Sequence, residues 1–280
     1  ALAEKVKEKS ALLKDPVDGI TVTDNQTAMV RMSSFAAAVI IKQMGLDPIM
    51  QMVARDRNRL AMQSDIIGAY AFGINTMLCL SGDHAKFGDH PMAQGVFDLD
   101  SVQMINMVRR MRDEETFQGG AKIDGAPKMF IGAAANPFAD PFELRVMRLA
   151  KKIKAGVDFI QTQCIFNLDK FEEWMKGVTD RGLDEKVHIL AGITPMKSVG
   201  MARYMKNKVP GMDIPDAVIK RLEGVSKEQQ PEEGIKMAVE SIERIKEIKG
   251  VHGFHIMAIE WEEKVPQIVE QAGLYPRPAV

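Results

Sequence analysis

The 280-residue sequence lacks most of the features that mark specialised chains. It has only two cysteines, Cys79 and Cys164, both inside apolar runs, so one disulfide is the ceiling and buried thiols in a reduced cytosol are the expectation. It has no surplus of charge. Basic side chains number 37 against 38 acidic, the formal net charge is -1, and no basic block marks a nucleic-acid surface. No apolar run reaches the roughly 18–20 residues needed to span a bilayer. The N-terminus does not read as a signal peptide, so a soluble, cytoplasmic protein without membrane or nucleic-acid partners is expected. The G-x-G-x-x-G, P-loop, H-E-x-x-H and G-x-S-x-G signatures are missing, which leaves Rossmann, NTPase, zincin and hydrolase readings without support. Repeats and low-complexity tracts are missing too, so residues 1–280 read as a single domain.

What is present is an ordinary globular composition, 46% hydrophobic and 27% charged, with a strong alternation of patterns. Short apolar runs at Gly19–Thr23, Ile49–Ala54, Thr76–Ser81, Lys128–Ala134, Phe159–Gln163, His188–Thr194 and Phe254–Ile259 read as strands buried on both faces. Helical stretches separate them: Met32–Met44, Arg57–Phe72, Ser101–Arg112, Pro141–Ala155, Lys170–Thr179, Ser198–Lys206, Asp216–Glu223 and Pro231–Ile248. Ala1–Leu13 opens the chain and Pro266–Ala272 closes it. Asp140-Pro141 reads as a helix N-cap with a first-turn proline, and Gly45, Gly73, Gly156 and Gly182 as helix stops. Strand–helix alternation predicts a parallel sheet. The expected fold class is α/β: seven strands suit a doubly wound open sheet, or a (β/α)8 TIM barrel whose first strand is absent from this chain, and the barrel is the favoured expectation.

Barrel chemistry collects at the C-terminal ends of strands. There the sequence places Thr23-Asp24-Asn25-Gln26, Arg55-Asp56-Arg57-Asn58-Arg59, Leu80-Ser81-Gly82-Asp83-His84, Gly132-Ala133-Ala134-Ala135-Asn136-Pro137, Thr162-Gln163, Gly192-Ile193-Thr194-Pro195 and Glu260-Trp261-Glu262. Capping alone accounts for about half of these polar residues. Two Gly-Asp-His triplets between Gly82 and His90 admit a Zn²⁺ or Fe²⁺ site, but a helix-entry loop whose acids accept backbone N–H groups is the favoured reading, with no metal. The 20 methionines read as core filler, Lys151-Lys152 as a solvated helix end, and His188 and His255 as strand-end or interior residues.

A family pattern runs through these segments. Ile20-Thr21-Val22-Thr23, Met50-Gln51-Met52-Val53 with its Arg-Asp-Arg-Asn-Arg sequel, and Leu80-Ser81-Gly82-Asp83 come first. Gln161-Thr162-Gln163, Gly192-Ile193-Thr194-Pro195, Gly253-Phe254-His255 and Gly273-Leu274-Tyr275-Pro276-Arg277-Pro278 follow. In this order and spacing, over nearly the whole chain, they resemble methylenetetrahydrofolate reductase. The wording is most similar to short anaerobe and bacterial members that consist of the catalytic barrel alone.

The resemblance implies flavin-dependent hydride transfer to 5,10-methylenetetrahydrofolate, giving 5-methyltetrahydrofolate, in one-carbon metabolism that feeds methionine biosynthesis. It implies FAD, with FMN as the alternative, reduced by NAD(P)H or another electron donor, in a homo-oligomer or with a partner subunit. Carried over by position, Asp83 is the aspartate beside the flavin, a catalytic role, because a negative group there disfavours the anionic reduced flavin. Thr23, Gln51, Leu80, Gly82, Ala134, Asn136 and Lys152 fall on cofactor-binding positions, Lys152 at the phosphate. Gln163 falls on the pterin-binding glutamine, and Trp261 offers a stacking surface to the folate benzoyl ring. Arg145, Met205, Met257 and Trp261 depart from the family pattern at the adenosine, nicotinamide and folate-tail positions. The family's general acid, a glutamate closing a first strand, is expected N-terminal to this chain; Asp24, Asp56, Glu260 and Glu262 are the carboxylates at the matching strand ends within it. A pterin-binding methyltransferase barrel and a non-catalytic barrel subunit are the competing readings.

Overall fold

The computed structural model describes residues 2–209 and 211–277. The chain forms two compact units, residues 1–134 with 151–159, and residues 135–150 with 160–280.

In the first unit the strands are β1 (Ile20–Val22), β2 (Pro48–Val53), β3 (Thr76–Leu80) and β4 (Phe130–Ala135), in that order across the sheet. All three pairings are parallel, with Val22 opposite Met50, Val53 opposite Leu80 and Cys79 opposite Ala133. The helices are α1 (Ala3–Ala11), α2 (Ser34–Gln43), α3 (Arg59–Ala71) and α4 (Ser101–Arg109). The starts of α2, α3 and α4 follow from capping side chains that accept otherwise unpaired backbone N–H groups. Ser33 accepts from Ala36, Asn58 from Leu60 and Ala61, and Asp100 closes a capping box with Gln103. Methionine fills this core: Met50, Met52, Met62, Met77, Met104, Met107 and Met111 are all buried. Met29 is an exception, partly exposed on the loop after β1.

The second unit holds β6 (His188–Ile193) and β7 (Gly253–Ile256), which pair in parallel with Gly192 opposite His255. The strand order is β5-β6-β7, where β5 is Phe159–Cys164. Its helices are α6 (Leu168–Thr179), α7 (Val199–Lys208), α8 (Asp216–Glu223), α9 (Gln230–Lys246) and α10 (Val265–Gln271). The helix α5 (Leu144–Ala155) crosses the sequence division between the units. Phe171 and Trp174 on α6 stack at 5.9 Å and are fully buried.

All seven strands expected from sequence are present, because strands covered on both faces read as continuous apolar runs. Asp140-Pro141 does not start α5. The helix begins at Leu144, and the carbonyls of Asp140 and Pro141 instead accept hydrogen bonds from the Arg145 guanidinium. Gly156 is the helix stop the sequence suggested, with φ of +106°, and a Cβ there would fall 2.3 Å from the Arg109 side chain. Among the described residues no helix is long and apolar enough to cross a membrane.

Candidate functional site

In the first unit, the loops after β1, β2 and β3 leave the C-terminal ends of adjacent parallel strands and carry a dense set of charges. Asp24 follows β1 with its carboxylate fully buried. It accepts the Val53 N–H at 3.0 Å and the Arg57 guanidinium at 2.7 Å. Burial works against the charge on Arg57, but Asp24 and Asp65 (2.9 Å) outweigh it and raise its pKa. Arg55 is 5% exposed and grips both oxygens of Asp56 at 2.7 Å. Burial would raise the Asp56 carboxyl, yet hydrogen bonds from Arg55 and Asn25 hold it below its usual value.

The β1–α2 loop is strained. Asn25, Thr27 and Ala28 have φ of +45°, +55° and +57°, a region that L-residues rarely occupy and that costs on the order of 1–3 kcal/mol per residue. Two carboxylates from the β3–α4 loop hold it. Asp83 accepts the Thr27 N–H at 3.1 Å, and Asp89 accepts the Val30 N–H at 3.2 Å. The acids of this loop accept backbone N–H groups of the neighbouring loop, while the entry of α4 is capped by Asp100. Among the described residues no group of three or more His, Cys, Asp and Glu is arranged to hold a metal ion.

Several of the sequence-selected residues gather here. Thr23 is exposed just past β1, Gln51 is half-buried on β2, and Leu80 ends β3 with its carbonyl paired to the Ala54 N–H. Gly82 has φ of +88°, and a Cβ on it would lie 3.1 Å from Val53 and 3.2 Å from Arg55. Its missing side chain therefore serves close packing of two loops. Asp83 is solvent-exposed. Lys152, half-buried on α5, donates its ammonium to the Ala134 carbonyl at the end of β4. Beneath it, burial pushes the Cys79 thiol up to about 12 despite the nearby lysine.

The remaining candidates lie in the second unit. Asn136 supports its own loop, accepting the Phe138 N–H at 2.9 Å and donating to the Gly211 carbonyl at 3.2 Å. The Gln163 side-chain oxygen Oε1 accepts the N–H of its neighbour Cys164 at 3.2 Å. Trp261 is 8% exposed, and the Lys197 ammonium sits 5.5 Å from its ring centroid, so little free stacking surface remains. Met205 is buried in a cluster with Met196, Ile214 and Leu222. Among the described residues the buried His255 ring nitrogen Nδ1 has no hydrogen-bond partner, and burial pushes the imidazole down to about 4.

Sequence reasoning treated Arg55 and Arg57 only as members of a polar cluster. Besides the nearby Asp56 and Asp65, their partners Asp83, Asn25 and Asp24 lie 28 to 33 residues away, and the one available signal is an alternation of basic and acidic residues directly after a strand.

Two curated proteins are similar to this chain. The probable methylenetetrahydrofolate reductase (NADPH) of Caenorhabditis elegans is 22% identical over 248 residues, covering 88% of this chain and 35% of that protein. Methylenetetrahydrofolate reductase 2 of Schizosaccharomyces pombe is 25% identical over 220 residues, covering 74% and 32%. The chain thus spans about a third of the length of these relatives. A solved structure of an uncharacterized protein from Clostridium thermocellum, which binds two copies of 5-methyl-5,6,7,8-tetrahydrofolic acid, shares the fold with a TM-score of 0.65 at 14% identity. That likeness covers 98% of this chain and 90% of the other. The model of one family, Methylenetetrahydrofolate reductase, matches residues 1–273. With nearly every described residue inside that match, the chain belongs to the methylenetetrahydrofolate reductase family.

Proposed function

We propose that this chain is the flavin-dependent catalytic barrel of a cytoplasmic 5,10-methylenetetrahydrofolate reductase. The family match over residues 1–273 carries the reading. The chemistry of the first unit's strand ends supports it. A planar heterocycle with a polar rim needs short donors and acceptors, and Thr23 and Gln51 supply a hydroxyl and an amide. A phosphate needs a cation, and the Lys152 ammonium, placed at the Ala134 carbonyl, supplies one. These groups fit FAD, with FMN as the smaller alternative; Ala134 and Asn136 would flank the chain that leads to the phosphate.

When bound, the flavin supplies hydride chemistry to the folate methylene. Asp83 places a negative charge beside it and so disfavours an anionic reduced form. Leu80 and Gly82 contribute backbone close to the ring. In the second unit, the Gln163 amide is the proposed pterin contact; the folate benzoyl group would reach Trp261 at most by the ring edge, since the ring is buried with Lys197 over it. Reducing equivalents come from NAD(P)H or another donor; Met205, buried where other members carry an aromatic, offers a nicotinamide no ring.

The test is the spectrum of the purified protein and its reaction. A bound flavin, bleached by reduction and restored on adding 5,10-methylenetetrahydrofolate, supports the proposal. Asp83→Asn should keep the flavin and raise its reduction potential. A colourless protein that transfers a methyl group from 5-methyltetrahydrofolate to a corrinoid would replace the proposal with the methyltransferase reading.

A further inference from the structure

The loops after β1, β2 and β3 meet on one side chain. The Arg55 guanidinium lies among them, 5% exposed. Its Nε and Nη2 pair with Asp56, its Nη1 donates to the Asp83 carbonyl at 3.0 Å, and its Nη2 donates to the Asn25 carbonyl at 3.1 Å. Two loops from distant parts of the sequence are therefore tied through one planar fork. Ordinary surface loops leave such carbonyls to water. A buried guanidinium is unfavourable unless its donors are matched, so burying one here calls for a reason. The adjoining backbone suggests what it is. Asn25, Thr27 and Ala28 are left-handed, and strain of that kind persists where the surroundings over-determine it, often at ligand sites. The Asp83 carboxylate holds the strained turn through Thr27, and Arg55 holds the backbone on both sides of that contact.

We propose that Arg55 is a positioning residue, which locks the loops after β1 and β3 together and so fixes the Asp83 carboxylate against Thr27. Where it rests on the flavin reading above, Arg55 sets the place of the negative charge beside the flavin without touching it. Lysine cannot substitute, because a point charge on a flexible stem has no fork with which to reach Asp56 and two loop carbonyls at once.

The variants are Arg55→Lys and, as reference, Asp83→Asn. Three quantities are measured: amide hydrogen exchange resolved at Thr27, the thermal midpoint, and the midpoint potential of bound flavin. Arg55→Lys should speed exchange at Thr27 by about tenfold while amides within α3 keep their protection. It should also raise the flavin potential, in the same direction as Asp83→Asn, because the carboxylate is no longer held in place. An arginine that serves stability alone would lower the thermal midpoint and leave both Thr27 exchange and the potential unchanged; that outcome overturns the proposal. Should Arg55→Lys fail to fold, Asp56→Asn keeps the shape of Asp56 and removes the charge that anchors the fork. The same two readouts then decide, with the same overturning result. Absence of flavin from the wild-type protein would refute the proposed function, and Thr27 exchange alone would then judge Arg55.

Discussion

Replacing Asp24 by alanine should be among the most destabilising single changes in the first unit. Its carboxylate has no solvent exposure and serves two partners, the Val53 N–H at 3.0 Å and Arg57 at 2.7 Å. Removing one member of a sealed ion pair costs about 3–5 kcal/mol when the other charge is stranded. Arg57 is not stranded: it is 16% exposed and keeps Asp65 at 2.9 Å, so its share falls to about 1–2 kcal/mol. The orphaned Val53 N–H, in a buried strand, adds about 1–3 kcal/mol. The sum is about 2–5 kcal/mol, and at about 2 °C per kcal/mol for a chain of this size the thermal midpoint should drop about 4–10 °C. Asp24→Asn retains an acceptor for Val53 and should recover roughly half of the loss. Scanning calorimetry of the three proteins is the assay. A drop under about 2 °C for Asp24→Ala would show that neither contact is formed as described.

Two other outcomes follow from local geometry. Gly132→Ala would set a Cβ 2.1 Å from the Phe159 ring, which stacks on Phe130 at 5.2 Å; the clash should cost about 1–3 kcal/mol or more, and Phe159→Leu should relieve it. Additive effects of the two substitutions in a thermal-melt cycle would rule out the contact. The Asp98 carboxyl is held down at about 2, chiefly by its hydrogen bonds to the Arg59 side chain and backbone. Since the folded pKa lies below the unfolded one, this pair stabilises fully above about pH 4 and loses its effect as pH falls towards 2. An NMR titration of Asp98 with a midpoint at the ordinary value would contradict it.

The strands were legible because burial on both faces leaves unbroken apolar runs such as Met77-Leu78-Cys79-Leu80, and the α2, α3 and α4 starts because Ser33, Asn58 and Asp100 cap within their own segments. The start of α5 was not. A carboxylate followed by proline suits a cap by local rule, but what surrounds the pair here is the Arg145 guanidinium, which takes both carbonyls. Methionine clusters were legible as core only where they fell on elements. Met50, Met52, Met104 and Met107 are buried, whereas Met29 and Val30 ride on the strained loop and face solvent. The long-range polar contacts were the least legible part. Asp24 and Arg57 are 33 residues apart and Thr27 and Asp83 56 apart, so their pairing is a product of strand order and cannot be read from spacing.

Which strand-end residue serves structure and which is available for chemistry can be decided from what each one already holds. Asp24 and Asp56 were the acids within the first unit, besides Asp83, that could stand in for a proton donor. Asp24 is sealed beneath Val53 and Arg57, and Asp56 is gripped by Arg55 on both oxygens, which favours its ionised form. A general acid must reach its substrate and must hold a proton near the working pH. Neither acid meets both conditions, so neither suits the proton donor that the proposed function calls for. Asp83 differs: its one backbone contact orients the carboxylate, and the side chain stays open to solvent. Thr23, just past β1, is exposed, and Lys152 on α5 is half-buried with its ammonium at the Ala134 carbonyl. On the proposed function, ligand chemistry in the first unit would fall to Thr23, Asp83 and Lys152, while the Arg55–Asp56 pair ties together the loops on either side of Asp83.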